Sequence, residues 1–142
     1  MNRTRVLLAD DNRAVRESVA ALLEWDFDVV GTAADGREML MEAARLEPEV
    51  VVLDISMPIL DGIQAAGQLQ ASGSAAKVVF LTVEDRAEFI VAGLAAGALG
   101  YVVKRRLTSD LIPAIYETIA GRRFVSPVLH YQDTEPSKKE ST

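Results

Sequence analysis

The chain has no cysteine, a single histidine and a single tryptophan among 142 residues, and no apolar stretch that reaches transmembrane length. Without cysteine there are no disulfides, no thiolate metal site and no cysteine nucleophile, which fits a reducing cytoplasm. The opening residues, Met1-Asn2-Arg3-Thr4-Arg5, run directly into a strand pattern, with no apolar stretch long enough for a signal peptide. A cytoplasmic location without membrane attachment is therefore expected. An excess of positive charge is also missing. The net charge is −6, and phosphate-backbone binding needs a basic face, so this segment is not expected to grip nucleic acid itself. Plain solubility is the simplest reading of the acidity.

What is present is ordinary globular material, 49% hydrophobic and 25% charged. At this length one domain buries roughly two-thirds of its unfolded surface. Short β-branched runs alternate with helical spacings along the chain. Strand patterns lie at 5–9, 27–33, 50–53, 77–82 and 100–103. Helical patterns are marked by Ala14, Val15, Val19, Leu22 and Leu23; by Met39, Leu40, Ala43, Ala44 and Leu46; by Ile63, Ala66 and Leu69; by Phe89, Ile90, Ala92 and Leu94; and by Leu111, Ile112, Ile115, Tyr116 and Ile119. Five βα repeats predict an α/β, flavodoxin-like, doubly wound five-stranded parallel sheet of order 2-1-3-4-5 with five helices. Residues 1–125 form the expected domain, and 126–142 read as a polar tail or truncated linker, disordered toward its end. Pro113 is expected at the third position of the last helix, with Asp110 as N-cap, where its missing N–H costs nothing. Trp25 is expected to pack at the end of the first helix.

Three acidic residues stand out. Asp10 and Asp11 close the first strand run and Asp54 closes the third. Ligands in such sheets bind beyond the strand C-termini at the switch point between strands one and three, where these carboxylates fall. So close a cluster repels itself unless a cation enters it. Oxygen-only ligands of this kind suit Mg²⁺. Taken alone, Asp10 and Asp11 read first as caps of the first helix.

Asp10-Asp11, Asp54, Met57-Pro58-Ile59-Leu60-Asp61-Gly62, Thr82, and Tyr101 with Lys104 stand in this order, each strand-end position occupied. The pattern resembles a response-regulator receiver domain over roughly residues 4 to 122. The resemblance implies that Asp54 accepts a phosphoryl group from the phosphohistidine of a sensor histidine kinase, a signalling role rather than an enzymatic one. It implies Mg²⁺ held by Asp10, Asp11, Asp54 and the backbone carbonyl of Ser56. Lys104 and Thr82 would stabilise the phosphoryl oxygens. Thr82 and Tyr101 would form a switch, Tyr101 turning inward to alter the face of helix 4, strand 5 and helix 5, which is also the expected homodimer surface. Ser56 and Glu84 flank the route of water to the phosphoryl group, and Glu84 is expected to modulate dephosphorylation.

Many receivers carry proline after the lysine, with a cis bond there. Here Arg105 follows, which predicts a trans Lys104–Arg105 peptide. That departure, with Gly121-Arg122-Arg123-Phe124-Val125-Ser126-Pro127, is similar to the NarL/FixJ subfamily of transcriptional regulators. Such regulators reach DNA through a C-terminal helix-turn-helix domain, absent from these residues. A receiver part of such a regulator and a stand-alone receiver acting through protein contacts both fit. A haloacid-dehalogenase-like phosphatase also uses an aspartate nucleophile with Mg²⁺, but it places a second aspartate where Ser56 stands. A degenerate receiver would lack an acidic ligand, the acceptor or the lysine, and all are present. His130, Arg105, Arg106, Arg122 and Arg123 read as surface.

Overall fold

A computed structural model describes residues 3–83 and 85–127 of the chain. Its strands are β1 (Arg5–Ala9), β2 (Asp28–Ala33), β3 (Val50–Leu53), β4 (Lys77–Thr82), β5 (Gly100–Val103) and β6 (Phe124–Val125), all paired parallel in the order β2-β1-β3-β4-β5-β6. The expected 2-1-3-4-5 order holds, and β6 adds a two-residue strand outside β5.

Five helices cover the sheet: α1 (Arg13–Leu23), α2 (Gly36–Leu46), α3 (Gly62–Ala71), α4 (Ala87–Ala95) and α5 (Leu107–Ile119). The central strands are near-continuous apolar runs, Val6–Ala9, Val50–Leu53 and Val78–Leu81, because both of their faces are covered. Val6, Leu8, Val50, Val52, Val79 and Leu81 point to one side and pack with residues of α1 and α5. Leu7, Ala9, Val51, Leu53 and Phe80 point to the other and pack with residues of α2, α3 and α4. Two separate apolar layers thus pin the register of the strands, whose side-chain period is two.

Three expectations need correction. The last helix begins at Leu107 and not after Asp110, so Pro113 lies inside it. Leu107 packs on the α1/α5 core and Leu111 is fully buried, which draws the earlier turn into the helix. The acceptor that Pro113 leaves without its helical N–H is the Ser109 carbonyl, and both residues are exposed, which keeps the cost of the missing bond low. Trp25 is 86% exposed and does not pack on α1; Leu23 and Phe27 close that end instead. Neither Asp10 nor Asp11 caps α1. Asn12 does, its side chain accepting from the Val15 N–H at 3.1 Å.

The Lys104–Arg105 peptide is trans, as predicted, no cis bond occurring among the described residues. The tail beyond Pro127, including His130, lies outside the described residues, as does Glu84.

Candidate functional site

Asp10, Asp11 and Asp54 meet at the C-terminal ends of β1 and β3. Those strands are neighbours in register, Ala9 lying opposite Leu53. One carboxylate oxygen from each of the three aspartates lies within 4.8 Å of the others. Asp10 and Asp54 are buried and Asp11 is exposed at the mouth. Asp11 also lines an open cleft of about 570 Å³, together with Ser56, Met57, Asp61, Gln64 and Phe89.

The backbone fixes both buried aspartates. The Asp54 N–H donates to the Ala9 carbonyl at 2.9 Å, and the Asp10 N–H to the Ala33 carbonyl at 3.0 Å. The Asp54 side chain accepts from the Ser56 N–H at 3.3 Å. Asp10 Oδ1 accepts from the Asn12 N–H at 2.9 Å. Behind Asp54, Gly62 opens α3 against the strand end. A Cβ at this position would lie 2.1 Å from the Asp54 carbonyl oxygen, so only glycine fits. Asp61 caps the same helix, accepting from the Gln64 N–H at 2.8 Å.

Lys104 follows the end of β5 as the first residue of a one-turn 3₁₀ segment, and its half-buried ammonium enters the cluster. Its Nζ lies 2.8 Å from Asp10 Oδ2 and 3.4 Å from Asp54 Oδ2. The contact to Asp10 Oδ2 is a close ion pair. Burial pushes the Asp54 carboxyl above its ordinary range, Lys104 opposes that rise, and the Asp10 charge adds to it. Burial would lower the Lys104 ammonium, but the two carboxylates outweigh it and raise it. One cation thus faces three acidic groups. The donor set is all oxygen, three carboxylates converge within 4.8 Å, and the pocket is short of positive charge, so the residues fit a hard divalent ion.

Thr82 ends β4 opposite Val103 and is fully buried. Tyr101 is also fully buried, its ring 6.0 Å from that of Phe80 at 56°. Gly93 of α4 gives these rings room, since a Cβ there would lie 2.8 Å from the Phe80 ring. Tyr101 is thus turned inward. Ser56 is exposed beside Asp54. The structure thus brings Asp10, Asp11, Asp54, Ser56 and Lys104 to one locus, with Thr82 on the adjacent strand end.

Two local features escaped the sequence reading. Ile59, in the loop between β3 and α3, has φ +72°, and no glycine marked the left-handed turn there. Asp110 and Ser126, both buried, flank the segment that carries Lys104. Each looked like an ordinary polar residue of a helix start or a fading tail.

The response regulator receiver domain family matches residues 6–116. The chain belongs to that family. It is 38% identical over 131 residues to the response regulator GacA of Pseudomonas protegens, covering 90% of this chain and 61% of that protein. It is 36% identical over 129 residues to the transcriptional regulatory protein YvfU of Bacillus subtilis, covering 89% of this chain and 64% of the relative. Among solved structures, a LuxR-family two-component response regulator from Aurantimonas superposes with a TM-score of 0.87 at 31% identity, covering 99% of this chain and all of that one. The signal receiver domain of the Mycobacterium tuberculosis response regulator NarL gives a TM-score of 0.82 at 28% identity, covering 86% of this chain and all of that one. The chain thus spans about three-fifths of the length of the curated relatives it matches. Receiver domains are signalling phosphoacceptors of two-component systems that bind Mg²⁺ through acidic residues, and an acidic cluster is present here. Among the described residues no helix is long and apolar enough to cross a membrane.

Proposed function

We propose that Asp54 is the phosphoacceptor, taking its phosphoryl group from the phosphohistidine of a sensor histidine kinase. The observation that carries this reading is the position of its carboxylate, buried at the end of β3 and 3.4 Å from the Lys104 ammonium. A carboxylate oxygen of Asp54 bonds to phosphorus as the phosphorus–nitrogen bond breaks, and the electron pair returns to the imidazole. Asp10, Asp11, Asp54 and the Ser56 carbonyl are the groups that would hold Mg²⁺. Bound there, the ion supplies the charge neutralisation that an incoming phosphoryl group needs.

Lys104 contributes positive charge to a phosphoryl oxygen as negative charge gathers there. Thr82 donates its hydroxyl to another oxygen. The new dianion favours whichever arrangement of Thr82 and Tyr101 meets it better, and the face of α4, β5 and α5 carries that difference to a partner, a second copy included. Ser56 and Glu84 govern the access of water to the acyl phosphate. Phosphoryl lifetimes equal in wild type and Glu84→Ala would dispose of that role.

The receiver unit extends through residue 125, and residues 126–142 begin a linker. The relatives are transcriptional regulators longer than this chain, which supports reading it as the receiver part of one, with DNA contacted elsewhere in such a protein. The deciding experiment incubates the protein with Mg²⁺ and acetyl phosphate. A single acid-stable, base-labile adduct on Asp54 is expected, absent from Asp54→Asn. Absence of any adduct on the wild type would sink the reading, and turnover of phosphate esters would point to a phosphatase.

A further inference from the structure

Arg105 stands where many receivers carry a cis proline, so the turn that aims Lys104 must be shaped by something else. The backbone is held on both sides of the lysine. Before it, the Val103 N–H donates to Ser126 Oγ at 3.2 Å, a buried hydroxyl from beyond β6. The Ser126 N–H donates in turn to the Tyr101 carbonyl at 3.0 Å. After it, the Leu107 N–H donates to the Lys104 carbonyl, closing the single 3₁₀ turn. The Arg106 guanidinium then forks onto Asp110 at 2.8 and 3.1 Å.

Asp110 is only 4% exposed, and a third donor, Ser109 Oγ, reaches it at 3.0 Å. Burial pushes its carboxyl up, but hydrogen bonds from Arg106, Ser126 and Ser109 hold it below the usual carboxylate range. Ser126 therefore joins the two restraints into one network. Helix capping does not account for this arrangement, because α5 has no side-chain N-cap bond. A carboxylate buried this well is costly unless paired, and Asp110 is paired with a half-exposed Arg106 two residues beyond Lys104.

We propose that Asp110 and Ser126 are positioning residues that, with Arg106, clamp the backbone on both sides of Lys104 and aim its ammonium at Asp10 and Asp54. This rests on the reading of Lys104 as the phosphoryl-stabilising cation. It also assigns a task to β6: the segment leaving the domain is fastened next to the lysine, so the exit of the chain and the site share one restraint.

The test compares wild type with Asp110→Asn, Ser126→Ala and the control Arg105→Ala, whose exposed side chain pairs with Asp85 at 3.4 Å. In the metal-free protein, the ε-methylene resonance of Lys104 is assigned by its loss in Lys104→Arg. It is expected to stand apart from those of Lys77, Lys138 and Lys139 and to move toward them in both clamp variants. With saturating Mg²⁺ and acetyl phosphate, phosphorylation of Asp54 is expected to slow about tenfold in both, because misplacing a reacting group by an ångström or less is enough for that. Mg²⁺ affinity should not weaken, since a displaced Lys104 competes less for the same carboxylates. That split is one a merely destabilised fold would not produce. Arg105→Ala should change neither readout. An unchanged Lys104 resonance and a wild-type rate in folded Ser126→Ala would overturn the proposal, whatever the fate of Asp110→Asn. If the wild type itself forms no adduct yet the resonance still moves, the clamp stands and the phosphoacceptor reading falls.

Discussion

At the N-terminal ends of the strands, polar groups meet their partners, whereas at the C-terminal ends they crowd one another. The Arg5 N–H donates to Glu49 Oε1 at 3.0 Å and its guanidinium to the Glu47 carbonyl at 2.9 Å. The Glu49 backbone completes the ladder, donating to the Arg5 carbonyl and accepting from the Lys77 N–H, both at 2.9 Å. Across the same sheet, three carboxylates crowd within 4.8 Å, and the Lys104 ammonium pairs with two of them, Asp10 and Asp54. The first end closes the fold. The second stores unfavourable electrostatics that a cation would relieve, and proteins commonly concentrate such local conflict where function requires it.

The contrast breaks most sharply at Gly62. Gly62→Ala puts a methyl 2.1 Å from the Asp54 carbonyl and 2.8 Å from the Ile55 Cα, all backbone that cannot step aside. A loss of about 3 kcal/mol in denaturant unfolding is expected, with slower phosphorylation, because α3 and the acceptor are pushed apart. Next in size is Asp110→Asn, which tests whether every buried carboxylate at this end is in conflict. Asp110 is not: its partners hold its pKa below the unfolded value. Its contribution is therefore fully present above the usual carboxylate range and is lost as pH falls through the lowered folded value. Urea unfolding at neutral pH should show a deficit of about 2 kcal/mol for the variant, shrinking toward zero on acidification. A deficit independent of pH would mean that the charge is irrelevant.

The sequence carried the strands and the acidic locus well for a common reason: both follow from short apolar runs closed by a polar residue. Val50-Val51-Val52-Leu53 reads as a strand buried on both faces, and a polar residue closing it must sit at the ligand-binding edge. What stayed illegible depends on contacts between distant residues. Nothing local says that Leu107 finds a core to pack on and so starts α5 a turn early, or that Trp25 finds none. Phe124-Val125 is too short for periodicity to register as a strand, and only the open edge of β5 makes it one. Lys104, by itself an ordinary surface lysine, acquires its meaning from Asp10, which lies 94 positions away in the chain and 2.8 Å away in space.

Asp54→Asn sharpens the comparison from the other side. It abolishes the proposed acceptor, yet the metal-free protein should gain about 1 kcal/mol, because a carboxylate disfavoured by burial is replaced by a neutral isostere. Lys104 keeps Asp10 at 2.8 Å, so no buried cation is left alone. Adding Mg²⁺ should narrow the difference, since the ion favours the wild-type carboxylate. Differential scanning calorimetry with and without the metal reads both effects. A variant less stable than wild type in the metal-free state would mean that the cluster is not in conflict.

The smallest effect separates backbone strain from charge. Ile59 is 75% exposed, so its side chain has little packing to lose, while its φ of +72° is unfavourable for a β-branched residue. In Ile59→Gly, relief of that strain is set against the greater freedom of glycine in the unfolded chain, leaving a gain of up to about 1 kcal/mol. The loop joins β3 to α3 beside Asp54, so the phosphorylation rate reports whether the strain also serves positioning. A gain in stability with an unaltered rate would confine the conflict at this end of the sheet to its charges. A gain in stability bought with a slower rate would show that the bent loop, like the crowded carboxylates, is part of how the acceptor is presented.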